Sequence, residues 1–378
     1  MINKIKVIYL TSSHYVNDDR IFFHIKDTLE RKNFKVDVCS TYGDKNFNLK
    51  DTYWIKGDEL SRRERVSWFC EQLILLSPEM IICGEPLPIL AAKKFQEQYP
   101  SCKIIYDVTE WYPSKKNLYD LNFISKTTKF FTMFVFNLYA ASLVDGFIVG
   151  EYYKKKIYDF LFPLKPKEII SYYPKRKYVS LKGKKLLSKI FRVGYSGKFS
   201  EEKGINRVFK VAESLRVNNP DLKVVLVLVG KTFLKQERIG FRNLIEKYPS
   251  LNVEINEMVP FEDFSKAILS FDVALDLRDN DIENTRCLPI KVFHYNACGI
   301  PVVYSNLKAL KKGYVQADFC ELVEPNDTEK VATKLQRFID DPIFYADVSN
   351  KAVTKIEKGY LWEHIEGKLL GFIQKVNN

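Results

Sequence analysis

Lys6–Leu10 (KVIYL) is a short apolar run closed off by polar residues, and it predicts a buried strand. The period then changes. Over Asp19–Lys32 the residues Ile21, Phe22, Ile25 and Leu29 fall on one helical face. Lys35–Ser40 reads as a strand, Ser67–Leu76 as a helix ending before Pro78, Met80–Cys83 as a strand and Ile89–Gln98 as a helix. Lys103–Asp107 and Gly146–Val149 are further strands. Strands separated by helical patterns predict βαβ units and a parallel sheet.

Pro163, Pro166 and Pro174 interrupt this alternation, and the polar, basic stretch Lys175–Lys189 reads as a connection between domains. The pattern then restarts. Strands are predicted at Phe191–Tyr195, Lys223–Val229, Asn252–Ile255, Val273–Leu277 and Ile300–Tyr304. Helices are predicted at Ile205–Val217, Arg242–Lys247, Phe261–Leu269, Pro289–Ala297 and, at the tail, Trp362–Val376. The expected organisation is an α/β chain of two Rossmann-like domains, over residues 1–174 and 190–355. A basic linker at 175–189 joins them, and a closing segment at 356–378 follows.

Composition narrows the setting. With 378 residues and 46% hydrophobic side chains, the chain can bury two cores. The start, MINKIKVIYL, lacks the apolar length and cleavage site of a secretory signal. The seven cysteines contain no CxxC pair, which argues against a disulfide framework or a structural zinc site and suits the reducing cytosol. A formal charge of +12 attracts polyanions, but no nucleic-acid-binding signature accompanies it. Phe130–Val144 (FFTMFVFNLYAASLV) is strongly apolar, with Lys115, Lys116, Lys126, Lys129 and Lys154–Lys156 near it in the chain. It is shorter than the ~20 apolar residues of a spanning helix. It reads either as a core helix or as a helix lying on an anionic membrane surface.

In open α/β sheets, ligands bind beyond the carboxyl ends of the strands, so the chemistry is sought there. Gly194-Tyr195-Ser196-Gly197-Lys198, followed by Glu201-Glu202-Lys203-Gly204, offers small residues for close approach of a diphosphate and two lysines to neutralise it. Leu288-Pro289-Ile290-Lys291 opens a helix whose first turn presents free N–H groups and a positive dipole end. Asp279-Asn280-Asp281 has the spacing of a metal-binding pair, but two acidic residues in a polar loop are a common coincidence, and no metal is expected.

GYSGKFSEEKGI together with LPIKVFHYNACGIPVV resembles the donor-binding half of GT-B glycosyltransferases, in particular family 4 (group 1). Other stretches agree in order. His14-Tyr15-Val16-Asn17-Asp18-Asp19-Arg20-Ile21-Phe22 is similar to the family's H-P-x-D-D-x-R-I-F loop. Tyr106–Pro113 resembles its D-x-H-E-x-x-P stretch. Tyr172-Tyr173-Pro174 resembles N-Y-P, and Tyr360-Leu361-Trp362 resembles Y-x-W.

The resemblance implies two Rossmann-like domains facing across a cleft, with a final helix crossing back to the N-terminal one. It implies a UDP- or GDP-linked sugar as donor, no metal and no separate cofactor, and transfer with retention. The acceptor would be a glycan, lipid-linked in the synthesis of a bacterial surface polysaccharide. The protein would work in the cytoplasm or at the inner face of the membrane.

Carried over by position, Lys198 and Lys203 would hold the diphosphate, with Gly197 and Gly204 allowing its approach. Leu288, Pro289, Ile290 and Lys291 would present helix N-terminal amides, and Met258 and Val259 would lie near the base. His14, Asp18, Asp19, Arg20 and Glu110 would meet the acceptor, and Glu110, Lys198 and Lys203 would carry catalysis. The sequence departs from the family where two glutamates eight positions apart are usual. Arg286 and His294 stand there, and Thr109 replaces a histidine. With Arg286 and His294 kept as donor-binding residues, two readings follow: an active transferase, or a catalytically degenerate GT-B protein acting as a nucleotide-binding partner or regulator.

Overall fold

In the computed structural model, two parallel sheets form, one in each half of the chain. The structure describes residues 4–43, 47, 49–110, 112–114, 118, 121–186, 189–314 and 317–377. Trp111, Lys115, Lys116, Leu187 and Ser188, which belong to segments interpreted above, lie outside the described residues.

The chain divides into two compact units. The first comprises residues 1–172 and 365–378. Its strands are β1 (Ile5–Thr11), β2 (Phe34–Ser40), β3 (Thr52–Trp54), β4 (Met80–Cys83), β5 (Lys103–Val108), β6 (Gly146–Val149) and β7 (Lys167–Ile169). They run in the order β3-β2-β1-β4-β5-β6-β7, all parallel. Between β1 and β2, a helix with π-type hydrogen bonding (Asp19–Lys26) runs into α1 (Asp27–Glu30). The others are α2 (Arg62–Leu76), α3 (Pro86–Gln98), α4 (Phe123–Ser142) and α5 (Tyr152–Leu161). Val7, Leu10, Ile81, Ile82, Ile104 and Ile105 are fully buried. Near-continuous apolar strands of this kind are covered on both faces, and each such side chain contributes ~1.5–3 kcal/mol on burial.

The second unit comprises residues 173–364. Its strands are β8 (Ile190–Lys198), β9 (Lys223–Lys231), β10 (Asn252–Asn256), β11 (Val273–Asp276), β12 (Val302–Ser305) and β13 (Cys320–Val323), in the order β10-β9-β8-β11-β12-β13. The helices are α6 (Ile205–Asn218), α7 (Lys235–Lys247), α8 (Phe261–Ile268), α9 (Ile282–Arg286), α10 (Lys291–Ala297), α11 (Lys308–Gly313), α12 (Thr328–Asp340) and α13 (Pro342–Gly359). The chain then returns to the first unit as α14 (Glu366–Asn377). There Leu369, Phe372, Ile373 and Val376 are buried.

The basic stretch expected to link the domains is held on the second unit. Leu181 N–H donates to the Ala297 carbonyl at 2.9 Å, and Lys184 N–H donates to Ser349 Oγ at 2.7 Å. α2 begins five residues before the helix expected at Ser67. Ser61 and Glu64 close a capping box there, each side chain accepting from the other's backbone N–H. α7 likewise starts at Lys235 rather than Arg242.

α4 corrects the core-helix reading of Phe130–Val144. It begins earlier, at Phe123, and only Asn137, Ala140 and Ala141 along it are buried.

Candidate functional site

Each sheet reverses its strand order once, between β1 and β4 in the first unit and between β8 and β11 in the second. Such a switch point opens a crevice at the carboxyl ends of the two strands. Both crevices are lined by polar and charged groups.

In the second unit, β8 ends in Ser196-Gly197-Lys198. Gly197 has φ +131°, a conformation that side chains rarely adopt, and a Cβ there would fall on the Lys291 ammonium. Lys291 donates to the Ser196 carbonyl, bracing the loop from the start of α10. Burial pushes the Lys291 amine down to about 8, against the pull of Asp276 and with the push of Arg278 and Lys203.

Lys203 lies in the turn that follows. Its Nζ is 2.9 Å from Glu202 and 3.2 Å from Asn284 Oδ1. Lys198 pairs with Glu237 at 2.5 Å. Gly204 (φ +80°) precedes α6, and a Cβ there would collide with the Leu277 carbonyl, so packing against the loop after β11 itself demands glycine.

Two residues in this crevice escaped the sequence reading. Asp276, at the end of β11, is buried and accepts from Arg278 Nε and Tyr304 O–H, both at 2.7 Å. Burial would raise its pKa, but Arg278 and Lys291 hold it below the usual carboxylate range. Arg278 also lies over the Tyr304 ring. Their signal was position alone, charged residues at the carboxyl end of a switch-point strand and just past it.

His294 occupies a different environment from the one expected. It is buried in α10, with its ring edge-on to Phe261 and Phe264. Burial lowers its pKa to about 4. The imidazole is neutral and packed among aromatic rings, as a core residue is.

Arg286, in the last turn of α9, is exposed. Met258 is exposed and Val259 half-buried. They follow β10 at the sheet edge, two strands from β8, and are not gathered with the lysines. Pro289 is buried, Leu288 and Ile290 are half-buried, and helical hydrogen bonding begins at Lys291 rather than Pro289. The acidic pair Asp279 and Asp281 is engaged by Arg207 at 2.7 Å and by Asn284 N–H at 2.8 Å.

In the first unit, β1 ends at Thr11 and β4 leads into Gly84-Glu85. Glu85 accepts from Thr11 Oγ1 at 2.8 Å and Ser12 N–H at 2.7 Å, and lies 3.6 Å from His14 Nε2. On the other side of the ring, His14 Nδ1 is 3.1 Å from Asp18. Burial opposes a charge on His14. The hydrogen bond to Asp18 and the negative charges of Asp18, Glu85 and Glu110 outweigh it and push the pKa up to about 9. An imidazolium held between two carboxylates and hydrogen-bonded to Asp18 has no lone pair left to accept a proton. Glu85 is the functional candidate the sequence reading missed. Glu110, exposed just past β5, faces the same crevice electrostatically.

Asp18 caps the following helix, accepting from Arg20 N–H and Ile21 N–H. Burial and the neighbouring Asp18 charge raise Asp19 to about 6. Arg20 is buried and committed. It donates to both Asp107 carboxylate oxygens, at 2.8 and 2.9 Å, and to the Ile170 carbonyl at 3.0 Å. Its expected contact with an acceptor is thereby corrected to a structural role. Tyr9 O–H completes the shell around Asp107 at 3.0 Å.

Residues 181–355 match the family model described as glycosyl transferases group 1. Over these residues the chain is similar to group 1 glycosyl transferases. The match begins on the basic stretch at Leu181 and ends within α13, so it spans the Gly197 loop, Lys203 and Lys291.

The fold extends over both units and is that of GT-B proteins. Sucrose-phosphate synthase from Thermosynechococcus elongatus superposes with a TM-score of 0.73 at 15% identity, covering 98% of this chain and 99% of that one. Anabaena Alr3699/HepE in complex with UDP gives 0.73 at 11% identity, covering 98% and 100%. The lipopolysaccharide outer core galactosyltransferase WaaB gives 0.62 at 14% identity, covering 98% and 99%. A comparison with curated protein sequences gives no match.

Proposed function

We propose that this protein transfers a sugar from a UDP- or GDP-linked donor to a lipid-linked glycan in the assembly of a bacterial surface polysaccharide, with retention of configuration and without a metal. The observation that carries the reading is the cationic crevice of the second unit. Lys291 and Lys203 flank the Gly197 loop, and Gly197, having no side chain, lets the Lys291 ammonium stand against it. Leaving-group charge in such a transfer is stabilised by fixed cations and dipoles, which act most strongly where water is excluded. The structures with UDP and UDP-glucose bound to Alr3699/HepE, on a fold of this kind, support a nucleotide-sugar donor. In the first unit, Glu110 is the residue proposed to orient or deprotonate an acceptor hydroxyl, with His14 held protonated as a hydrogen-bond donor beside it.

A second reading, a degenerate protein that binds nucleotide without transfer, is favoured by one observation: His294 takes the place of a family carboxylate and is buried. Calorimetric titration with UDP, GDP and their sugar conjugates tests the donor site. Micromolar binding of one nucleotide, abolished by Lys203→Ala, is expected. Absence of binding to all of them would defeat the transferase reading. Binding without turnover on any acceptor would favour the degenerate one.

A further inference from the structure

α4 is an apolar helix that, among the described residues, is left exposed over most of its length. Phe123 is 82% exposed, Ile124 77% and Phe131 60%, and every residue from Phe123 to Thr132 is exposed. Ile124, Phe131, Val135 and Tyr139 recur at helical spacing and form one outward ridge. Monomeric proteins rarely leave so much contiguous apolar surface in water. The helix carries no acidic residue. Its two charges, Lys126 and Lys129, are exposed and enter no ion pair among the described residues.

We infer that α4 lies on the surface of an anionic lipid bilayer, with its aromatic ridge in the headgroup region and Lys126 and Lys129 on the lipid phosphates. Three features select this occupant. A convex ridge suits a deformable surface. Lysines unanswered by any carboxylate on the helix find their counter-charge in anionic lipid, at about 1 kcal/mol each. A second copy docked on the same face would bring like charges together instead. Among the described residues no helix is long and apolar enough to cross a membrane. The helix therefore lies on the bilayer rather than through it.

The position of α4 gives the contact a purpose, and here the inference rests on the acceptor reading above. α4 runs back from the carboxyl end of β5 to the start of β6. Its 20 residues span about 30 Å, whereas the six of β5 span about 20 Å. Its first turns therefore stand beyond the carboxyl edge of the sheet, the edge that holds His14, Glu85 and Glu110. A bilayer under those turns would present a lipid-linked acceptor to that edge.

The test is co-sedimentation of the full chain with phosphatidylcholine vesicles, with and without phosphatidylglycerol. Wild type is expected to bind the mixed vesicles and to release at high salt. Phe131→Ser combined with Val135→Ser should weaken binding ~tenfold or more, with unchanged thermal midpoint and UDP affinity. Lys126→Glu with Lys129→Glu should weaken it and flatten the salt dependence. Equal partition of wild type onto both vesicle types, no binding to either, or undiminished binding by the serine variant overturns the proposal. A dimer in the ultracentrifuge that the serine variant dissociates also overturns it, giving the face to a second copy. Vesicle binding by a protein that fails to bind any nucleotide would leave this proposal standing and remove the transferase reading.

Discussion

The Lys291 ammonium donates to the Ser196 carbonyl and stands where a Cβ on Gly197 would be. The glycine and the lysine thus define one site from two elements almost a hundred residues apart. A side chain at 197 would push away the cation that makes the crevice attractive to a diphosphate. Gly197→Ala is expected to cost about 1–3 kcal/mol of stability from its positive φ alone and to reduce UDP affinity at least ~tenfold. Calorimetry and thermal unfolding on the same sample check both. Wild-type affinity in the variant would separate the loop from the donor site.

The same lysine should make donor binding depend on pH. Its free-state pKa of about 8 means that it carries a full charge only below that value. A bound diphosphate would draw the proton back, so binding takes up a proton near pH 8. UDP affinity is expected to fall as pH rises through about 8, and Lys291→Met should flatten that fall while weakening binding at pH 7. Titrations in buffers of different ionisation enthalpy report the proton directly.

His14 gives a pH dependence of stability with a defined sign. Its folded pKa of about 9 lies above the ordinary histidine value of 6.5, so between the two the folded state holds a proton that the unfolded state has lost. The stabilisation is fully present below about 6.5 and disappears as pH rises through about 9. It is on the order of 3 kcal/mol. Denaturant midpoints of wild type should decline over that window, and His14→Gln should show a flatter profile.

Arg20 and Asp107 form a buried pair whose rupture leaves a carboxylate without its partner. Arg20→Ala is expected to destabilise the first unit by about 3–5 kcal/mol. Arg20→Lys should recover little of this, because one ammonium cannot reproduce the two-pronged bond. Guanidinium denaturation measures both. An Arg20→Ala protein of normal stability would reopen its reading as an acceptor ligand.

The two burial assignments, Arg20 and His294, mark where sequence ran out. The alternation of apolar strands and helices was legible because each strand is buried on both faces, as in KVVLVLV at β9. The lysines of the Gly197 loop were legible because glycine and charge sit together past a strand. Burial of a polar side chain is not written locally. Arg20 is neutralised by Asp107 and bonded to the Ile170 carbonyl, both far away in the chain, and His294 is enclosed by two phenylalanines of α8. Nor did Glu85 announce itself, since it becomes part of a site only when the sheet places β4 beside β1. Helix starts were misjudged where side-chain caps rather than apolar period set them, as at Ser61 and Glu64. Short edge strands such as β3 and β7 carry too few residues to show a period.

α14 has a consequence for biogenesis. The first sheet is built from the opening residues of the chain, yet Phe372 and Val376, near its last described residue, press against Gly146 at the foot of β6. Thr28 and Arg31 likewise wait for Glu366. A ribosome delivers β1 to β7 long before it delivers this helix. The nascent first unit therefore emerges with an uncovered apolar floor, and it is sealed only after the whole second unit has been synthesised. Premature termination within α14 would release a chain whose earliest-made half is the unfinished one, a natural client for chaperones and proteases.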